Sequence, residues 1–210
     1  MTSAHSDDVV VGEDGVARCR WGASPAEYAR YHDDEWGRPV ADETRVFENL
    51  SLDCFQSGLS WLTILRKRDA FRRAFRGFDP AVVAAFDAAD VERLLGDAGI
   101  VRNRAKVLAT ITNARATLRL HDEGLSLATL LWRHEPGVAG SAPRRLADLP
   151  AVTAASTALS VDLRHHGFAF VGPTTVYAAM QALGLVNDHL AGCHVRVVAC
   201  AERARFVPPR

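Results

Sequence analysis

Apolar and polar positions along most of the chain recur at helical spacing. β-Branched residues alternate with polar ones for no more than about four positions at a time, so the pattern predicts a fold that is helical nearly throughout. Phe47, Leu50, Cys54 and Ser57, with Val46 and Leu62 nearby, set a three-to-four repeat that starts after Asp42. Asp79-Pro80 reads as an N-cap followed by proline at the first helical position, opening a helix over residues 80–86. Asp90 is placed to cap residues 91–98, with Gly99 as a left-handed stop. Val107, Leu108, Ile111, Ala114 and Leu118 form one apolar stripe of a longer helix. Residues 126–132, 157–166 and 173–183 read as three more helices, and residues 135–150, rich in Pro, Gly, Ser and Ala, as a surface connection. No internal repeat is present. The organisation expected is a flexible acidic tail over 1–16, one folded unit over 17–198, and a loose C-terminal tail over 199–210.

Composition narrows the class. Of 210 residues, 48% are hydrophobic and 24% charged, which excludes wholesale disorder. The 25 basic and 25 acidic residues cancel, so any polyanion partner must be held by local features rather than by bulk charge. Lysines are scarce, Lys67 and Lys106 alone, and neither stands out as a Schiff-base nucleophile. The first residues, MTSAHSDDVVVGEDGV, lack a basic or long apolar stretch, so a cytoplasmic protein is expected. Residues 167–186 carry no formal charge, but Pro173, Thr174, Thr175 and Gln181 make a buried helix with its entry turn a better reading than a membrane span. Cys19, Cys54, Cys193 and Cys200 are then expected to be reduced, as metal ligands or buried thiols.

Three groups of residues carry candidate chemistry. The first is the turn between the last two predicted helices, Gly167-Phe168-Ala169-Phe170-Val171-Gly172-Pro173-Thr174. The following helix leaves backbone N–H groups unpaired in its first turn, and Gly172 would let a nucleic-acid phosphate approach them. A plain tight helix–helix connection explains the same residues. The basic run Arg66, Lys67, Arg68, Arg72, Arg73 and Arg76 offers further phosphate contacts or a solvated helix face.

The second group is metal-binding in type. His189 and Cys193 are four apart, so on a helical turn they would face the same way, and Cys19 and His32 lie near the other end of the chain. Two thiolates and two imidazoles make a closed tetrahedral set suited to Zn²⁺. Such a tie would stabilise by closing a long loop. His194 and Cys200 compete for the same role.

The third is an aromatic cluster, Trp21, Tyr28, Tyr31, Trp36 and Trp61, with the carboxylates Asp33, Asp34, Glu35 and Asp53 among or near it. An aromatic core accounts for Trp36. An acidic aromatic pocket, however, is what a flat cationic ligand requires, by stacking, cation–π attraction and a carboxylate that accepts from its donors. Only Asp53 is set among apolar residues, where burial raises a carboxyl pKa.

The stretches CRWGASPAEYARYHDDEWGRP, LSLDCFQSGLSWLTILRKRDAFRRAF, DAGIVRNRAKVLATITNA and GFAFVGPTTVYAAMQALGLVNDHLAGC together resemble the DNA-3-methyladenine glycosylase I family of the helix-hairpin-helix superfamily. The resemblance runs in order from about Arg18 to about Cys193. It implies an all-α helix-hairpin-helix glycosylase fold with two helical lobes, the hairpin lying near residues 157–184. It also implies structural zinc on Cys19, His32, His189 and Cys193, and hydrolysis of the N-glycosidic bond of a 3-methyladenine nucleotide flipped out of alkylated double-stranded DNA. The site residues it implies are Tyr31 and Asp53 for catalysis, with Trp61 stacking on the base. Trp21 and Tyr28 form the pocket wall, Leu59 is an apolar wedge, and Gly167, Gly172 and Thr174 face the DNA. A monomer that leaves an abasic site without cutting the strand is implied too, in keeping with the scarcity of lysine.

One position departs from the family: the pocket carboxylate is usually Glu, and here it is Asp53, about 1.5 Å shorter in reach. The shorter side chain would lose the direct bond to the base, replace it through a water, or select a larger base. Cys54-Phe55 is also bulky where small residues are common. The alternative is therefore a zinc-stabilised lesion-binding protein with weak or altered excision. A catalytic zinc hydrolase fits less well, because four protein ligands fill the metal.

Overall fold

Side-chain oxygens just ahead of apolar runs decide where the helices begin. A computed structural model of the chain describes residues 8–137 and 141–210. Its elements are strands β1 (Val9–Val11) and β2 (Ala17–Cys19), then helices α1 (Ala26–Asp34), α2 (Glu43–Gln56), α3 (Trp61–Ala74), α4 (Pro80–Ala84), α5 (Ala88–Gly96) and α6 (Arg104–Asp122). Helices α7 (Leu127–Trp132), α8 (Ala154–His165), α9 (Pro173–Ala182) and α10 (His194–Arg205) complete the chain. Asp42 opens α2 by accepting the Arg45 N–H, Ser60 opens α3 through the Thr63 N–H, and Ser126 opens α7 through the Thr129 N–H. Asp79 and Pro80 start α4 as expected.

Two helix starts differ from the sequence pattern, each because a different residue caps. Asp87, not Asp90, starts the fifth helix: its carboxylate accepts from Ala89 and Asp90 N–H while Asp90 reaches back to the Asp87 N–H, a reciprocal box. That early start also ends α4 at Ala84 and moves the end of α5 to Gly96, well before Gly99. Thr153 and Ser156 form the same kind of box, so α8 begins at Ala154 rather than 157.

Helix α6 is the spine of the core. Its expected stripe is rotated: Leu108 is 45% exposed, while Val107, Thr110, Ile111, Ala114 and Thr117 are buried. The two threonines are tolerated there because their hydroxyls donate to the Lys106 and Asn113 carbonyls one turn back, each at 3.0 Å. Phe47, Phe55, Phe71, Phe75 and Phe78 fill the space between α2, α3 and the turn after it.

Both ends are more ordered than expected. Residues 1–7 of the proposed acidic tail lie outside the described residues, but Val9, Val10 and Val11 pair antiparallel with Cys19, Arg18 and Ala17. This ribbon escapes the pattern because each strand is only three residues long. Val9 packs against a small cluster of Cys19, Leu190, Cys193 and Val195, separate from the main core. The expected loose end at 199 is instead the middle of α10, and Phe206 beyond it lies on Trp132 with ring centroids 4.7 Å apart.

The turn joining α8 to α9 is fastened from below. Asn113 on α6 accepts the Ala169 N–H at 2.7 Å and donates to the Ala169 carbonyl at 3.1 Å, and the Ser160 hydroxyl donates to the Val171 carbonyl at 2.6 Å. Asn113→Ala removes the partners of the part-buried Ala169 N–H and carbonyl, and we expect a loss of about 1–3 kcal/mol in urea unfolding with an unchanged m-value. A shift in midpoint too small to resolve would show that Asn113 does not fasten the turn.

Candidate active site and metal-ligand cluster

Cys19 ends β2, His32 lies in α1, His189 in the irregular segment between α9 and α10, and Cys193 is the N-cap of α10. Their ligand atoms all lie within 4.8 Å of one another and all four residues are buried. The expected helical relation of His189 and Cys193 does not hold, since residues 187–190 form no regular element and a turn, with the Cys193 N–H bonded to the Leu190 carbonyl, brings the thiol round. His194 and Cys200 stay outside: His194 faces the Ala17 carbonyl, and the exposed Cys200 accepts from Asn187.

The surroundings set the two imidazoles for ligation. His32 Nδ1–H donates to Asp33 at 2.8 Å, and Arg18 holds Asp33 through its Nε and a terminal nitrogen. His189 Nε2–H donates to the Trp36 carbonyl at 3.0 Å. These bonds leave His32 Nε2 and His189 Nδ1 with free lone pairs, 3.4 and 3.6 Å from Cys193 Sγ. A hydrogen bond from Cys19, with His189 and His32 beside it, holds the Cys193 thiol well below the usual range against the cost of burial. Gly22 is required by packing, because a Cβ there would stand 2.4 Å from the His32 ring. Two soft sulfurs and two imidazoles, each imidazole oriented by an outer hydrogen bond, suit a four-coordinate metal ion.

Trp21 links this cluster to the aromatic site. Its ring lies 5.1 Å from His32, 4.9 Å from Trp36 and 6.5 Å from Tyr31, and meets Tyr28 edge-on at 5.8 Å. The Tyr28 hydroxyl accepts the Leu62 N–H at 2.9 Å and so fixes the first turn of α3. A recess opens between α1, α2, α3 and α9, with Tyr31 and Trp61 on its wall, their rings 5.3 Å apart. Trp21 and Tyr28 do not line it; they support the residues that do. Trp36 is core, as expected.

Of the four candidate carboxylates, Asp33 orients His32 and Asp34 is exposed. Glu35 lines the recess and forks onto Arg68 at 2.6 and 2.8 Å; Arg72 and Glu48 form a second pair on the same wall at 2.7 Å. Asp53 is 5% exposed, does not line the recess, and its Oδ2 has no hydrogen-bond partner. Burial alone pushes its pKa well up. Tyr31 is raised too, first by burial and then by the nearby charge of Asp53, so its hydroxyl stays protonated. Trp61 Nε1 is likewise buried without an acceptor. The bulk of Phe55 does not intrude, because its ring packs into the core 4.7 Å from Phe71.

Sequence reasoning missed Arg68, Glu48 and Asn49 as recess residues. The basic run containing Arg68 looks like one face in sequence, but Arg66 pairs with Glu27, Lys67 binds the Ala98 and Gly99 carbonyls, and Arg68 and Arg72 turn to Glu35 and Glu48. Leu59 is 43% exposed in the turn after α2. Lys106 anchors that turn, its buried ammonium donating to the Phe55 and Ser57 carbonyls. In the α8–α9 turn, Gly167 has φ +85° and Gly172 is the N-cap of α9. A Cβ on Gly172 would meet only Arg164, at 3.9 Å, so the approach to the exposed Thr174 and the helix start is open.

A family model described as methyladenine glycosylase matches residues 21–197. The chain is 46% identical over 181 residues to DNA-3-methyladenine glycosylase 1 of Escherichia coli (strain K12), covering 85% of this chain and 96% of that protein. A crystal structure of 3-methyladenine DNA glycosylase I superposes with a TM-score of 0.81 at 45% identity, over 84% of this chain and 98% of the other. The enzyme of that name from Staphylococcus aureus, solved to explain 3-methyladenine recognition, superposes at 0.80 with 36% identity, over 85% and 96%.

The Asp53 titration has a definite sign. Its folded pKa lies above its unfolded one, so the stability it permits is complete below the ordinary carboxylate pKa near 3.8 and falls as pH rises through the raised value. Melting curves of the parent and Asp53→Asn should therefore diverge with increasing pH, the variant being the more stable at neutral pH. Parallel curves would show that Asp53 is not a buried, unpaired carboxyl.

Proposed function

The chain belongs to the methyladenine glycosylase family, and we propose that it removes 3-methyladenine from alkylated duplex DNA by hydrolysing the N-glycosidic bond. The observation that carries the site assignment is the pair of unsatisfied buried groups beside the recess, Asp53 Oδ2 and Trp61 Nε1, with the protonated Tyr31 between aromatic and carboxylate. A buried acceptor left unpaired costs stability, and a ligand that donates to it repays that cost.

Methylation at N3 makes the purine cationic, so the bond to the sugar is already weak and the base is a good leaving group. The chain's part is extraction and recognition. A damaged base costs least to unstack, and the pocket selects among the bases presented. Trp61 offers a face for stacking, and its attraction for a cationic base is stronger than for the neutral product. As the base enters, its positive charge favours the ionised form of Asp53, which then stabilises positive charge developing on the sugar. The Tyr31 hydroxyl supplies a neutral donor and acceptor beside it. Water completes the hydrolysis, an abasic site remains, and no lysine participates.

Two further parts support this reading. Gly172 and Thr174 at the start of α9 offer N–H groups to a DNA phosphate, and Gly167, whose own N–H is bonded to the Arg164 carbonyl, supplies the left-handed residue that turns the chain, making α8, the turn and α9 a helix-hairpin-helix. Leu59 at its exposed turn fills the space of the departed nucleotide. Cys19, His32, His189 and Cys193 hold zinc in a structural role: four protein ligands leave no position for water, and the ion ties the two ends of the chain into one of two lobes around the DNA. A single chain holds every residue required, so the working form is a monomer.

Incubation with methylated duplex DNA should release 3-methyladenine, detected by mass-resolved chromatography, with the strand uncut. Asp53→Asn should lower release about 100-fold while leaving the protein folded. Binding to lesion DNA with no release by the parent would favour the lesion-binding alternative, in which the set-back carboxylate recognises but does not catalyse. For the metal, one zinc per chain is expected by elemental analysis. With zinc at about a thousand times its Kd, binding adds about 4 kcal/mol, or about 8–16 °C in Tm for a chain this size. Chelation or Cys193→Ala should remove that increment; an unchanged Tm would dismiss the zinc site.

A further inference from the structure

Among the described residues, two aromatics hold a left-handed backbone, Phe78 at φ +59° and Phe170 at φ +56°. That region crowds the Cβ of any residue but glycine, and a bulky side chain there needs a reason to stay. Phe78 has one: its ring is fully buried, 5.3 Å from Phe75 and 6.3 Å from Phe47. Phe170, in the turn between α8 and α9, is 45% exposed, so burial in the core does not offset its strain. Its neighbours Phe168 and Val171 are buried, and Phe170 alone of the three apolar side chains stands out. Strain kept without a packing gain is concentrated at positions that meet a ligand.

The surroundings indicate which ligand. Phe170 lies two residues before Gly172, the N-cap of α9, so at most about 7 Å of chain separates it from the start of that helix. Two exposed cations flank the same turn. An Arg164 nitrogen lies 3.9 Å from where a Cβ on Gly172 would be, and an Arg119 nitrogen 2.7 Å from where one on Gly167 would be. The bonds from Asn113 to Ala169 and from Ser160 to Val171 pin the backbone on both sides of Phe170, so the ring is held out from the surface. A sugar–phosphate backbone alternates charge with the carbon face of a deoxyribose, and a ring set among cationic grips matches that alternation. Such a contact works through buried apolar area, which suits a chain whose 25 basic and 25 acidic residues cancel.

We propose that Phe170 is a DNA-contacting residue whose ring packs on the deoxyribose beside the phosphate held at the start of α9. This rests on the DNA reading above and adds to it a grip that salt does not screen. The test is binding of a duplex bearing a stable abasic-site analogue, by fluorescence anisotropy across a salt series, for the parent, Phe170→Gly and Phe170→Tyr, with urea unfolding of each. Phe170→Gly relieves the left-handed backbone, so its urea midpoint should equal or exceed the parent's. Its affinity should fall about tenfold at every salt concentration, leaving the slope of log K against log salt unchanged. Phe170→Tyr keeps the ring and should bind as the parent does. Unchanged affinity in Phe170→Gly overturns the proposal, as does a shallower slope, which would make the loss one of phosphate contacts. A lowered urea midpoint overturns it too, since the ring would then serve the fold. Each of these outcomes leaves base release by the parent intact. A parent that neither binds the duplex nor releases 3-methyladenine overturns both readings.

Discussion

The paired hydrogen bonds that orient His32 and His189 reach further than the cluster they belong to. His189 is held by the Trp36 carbonyl, and His32 by Asp33, which is itself held by Arg18 on β2. Asp33 and Trp36 flank Glu35, the residue that forks onto Arg68 in the recess. The few residues closing α1 therefore serve two masters: one set of bonds fixes the imidazoles, and a neighbouring side chain fixes the wall of the recess. Trp21 couples the two regions a second time, with His32 on one edge and Tyr31 on another. Whatever holds the four ligands together also holds the aromatic site in register with the helices that line it.

The site is expensive to keep empty. Asp53, Trp61 and Asn49 each bury a polar atom without a partner, as do Ser51 and Arg38, whereas Thr110, Thr117, Asn113 and Ser160 are bonded. Unsatisfied groups are rare in folded proteins, and two of those here, on Asn49 and Trp61, belong to residues that line one recess. Stability is given up where a ligand is to be read.

The helices most legible in the sequence were those with a capping residue ahead of a strong apolar repeat, as at Asp42, Asp79 and Ser126. Where two aspartates three apart compete, at Asp87 and Asp90, spacing alone does not say which is the cap. The three-residue strands are too short to show alternation, and only their pairing reveals them. The metal-ligand set was legible as residue types, but the geometry joining Cys193 to His189 is a turn rather than a helix, which the spacing misrepresents. Arg68 and Arg72 looked like part of one basic face because a sequence does not show that their partners arrive from α1 and α2. Asn49 carries no signal at all in one dimension, since its significance lies in having no partner.

Lys106 gives the exposed turn at Leu59 an unusual footing. A cation buried beneath a surface turn, bonded to the Phe55 and Ser57 carbonyls at the negative end of α2, makes the tip part of the rigid body rather than a loop that must be ordered on contact. In the wedge role proposed for it, Leu59 so mounted would lose little freedom on entering a duplex. Each encounter could then be brief, with many undamaged base pairs surveyed for each one at which the molecule stops.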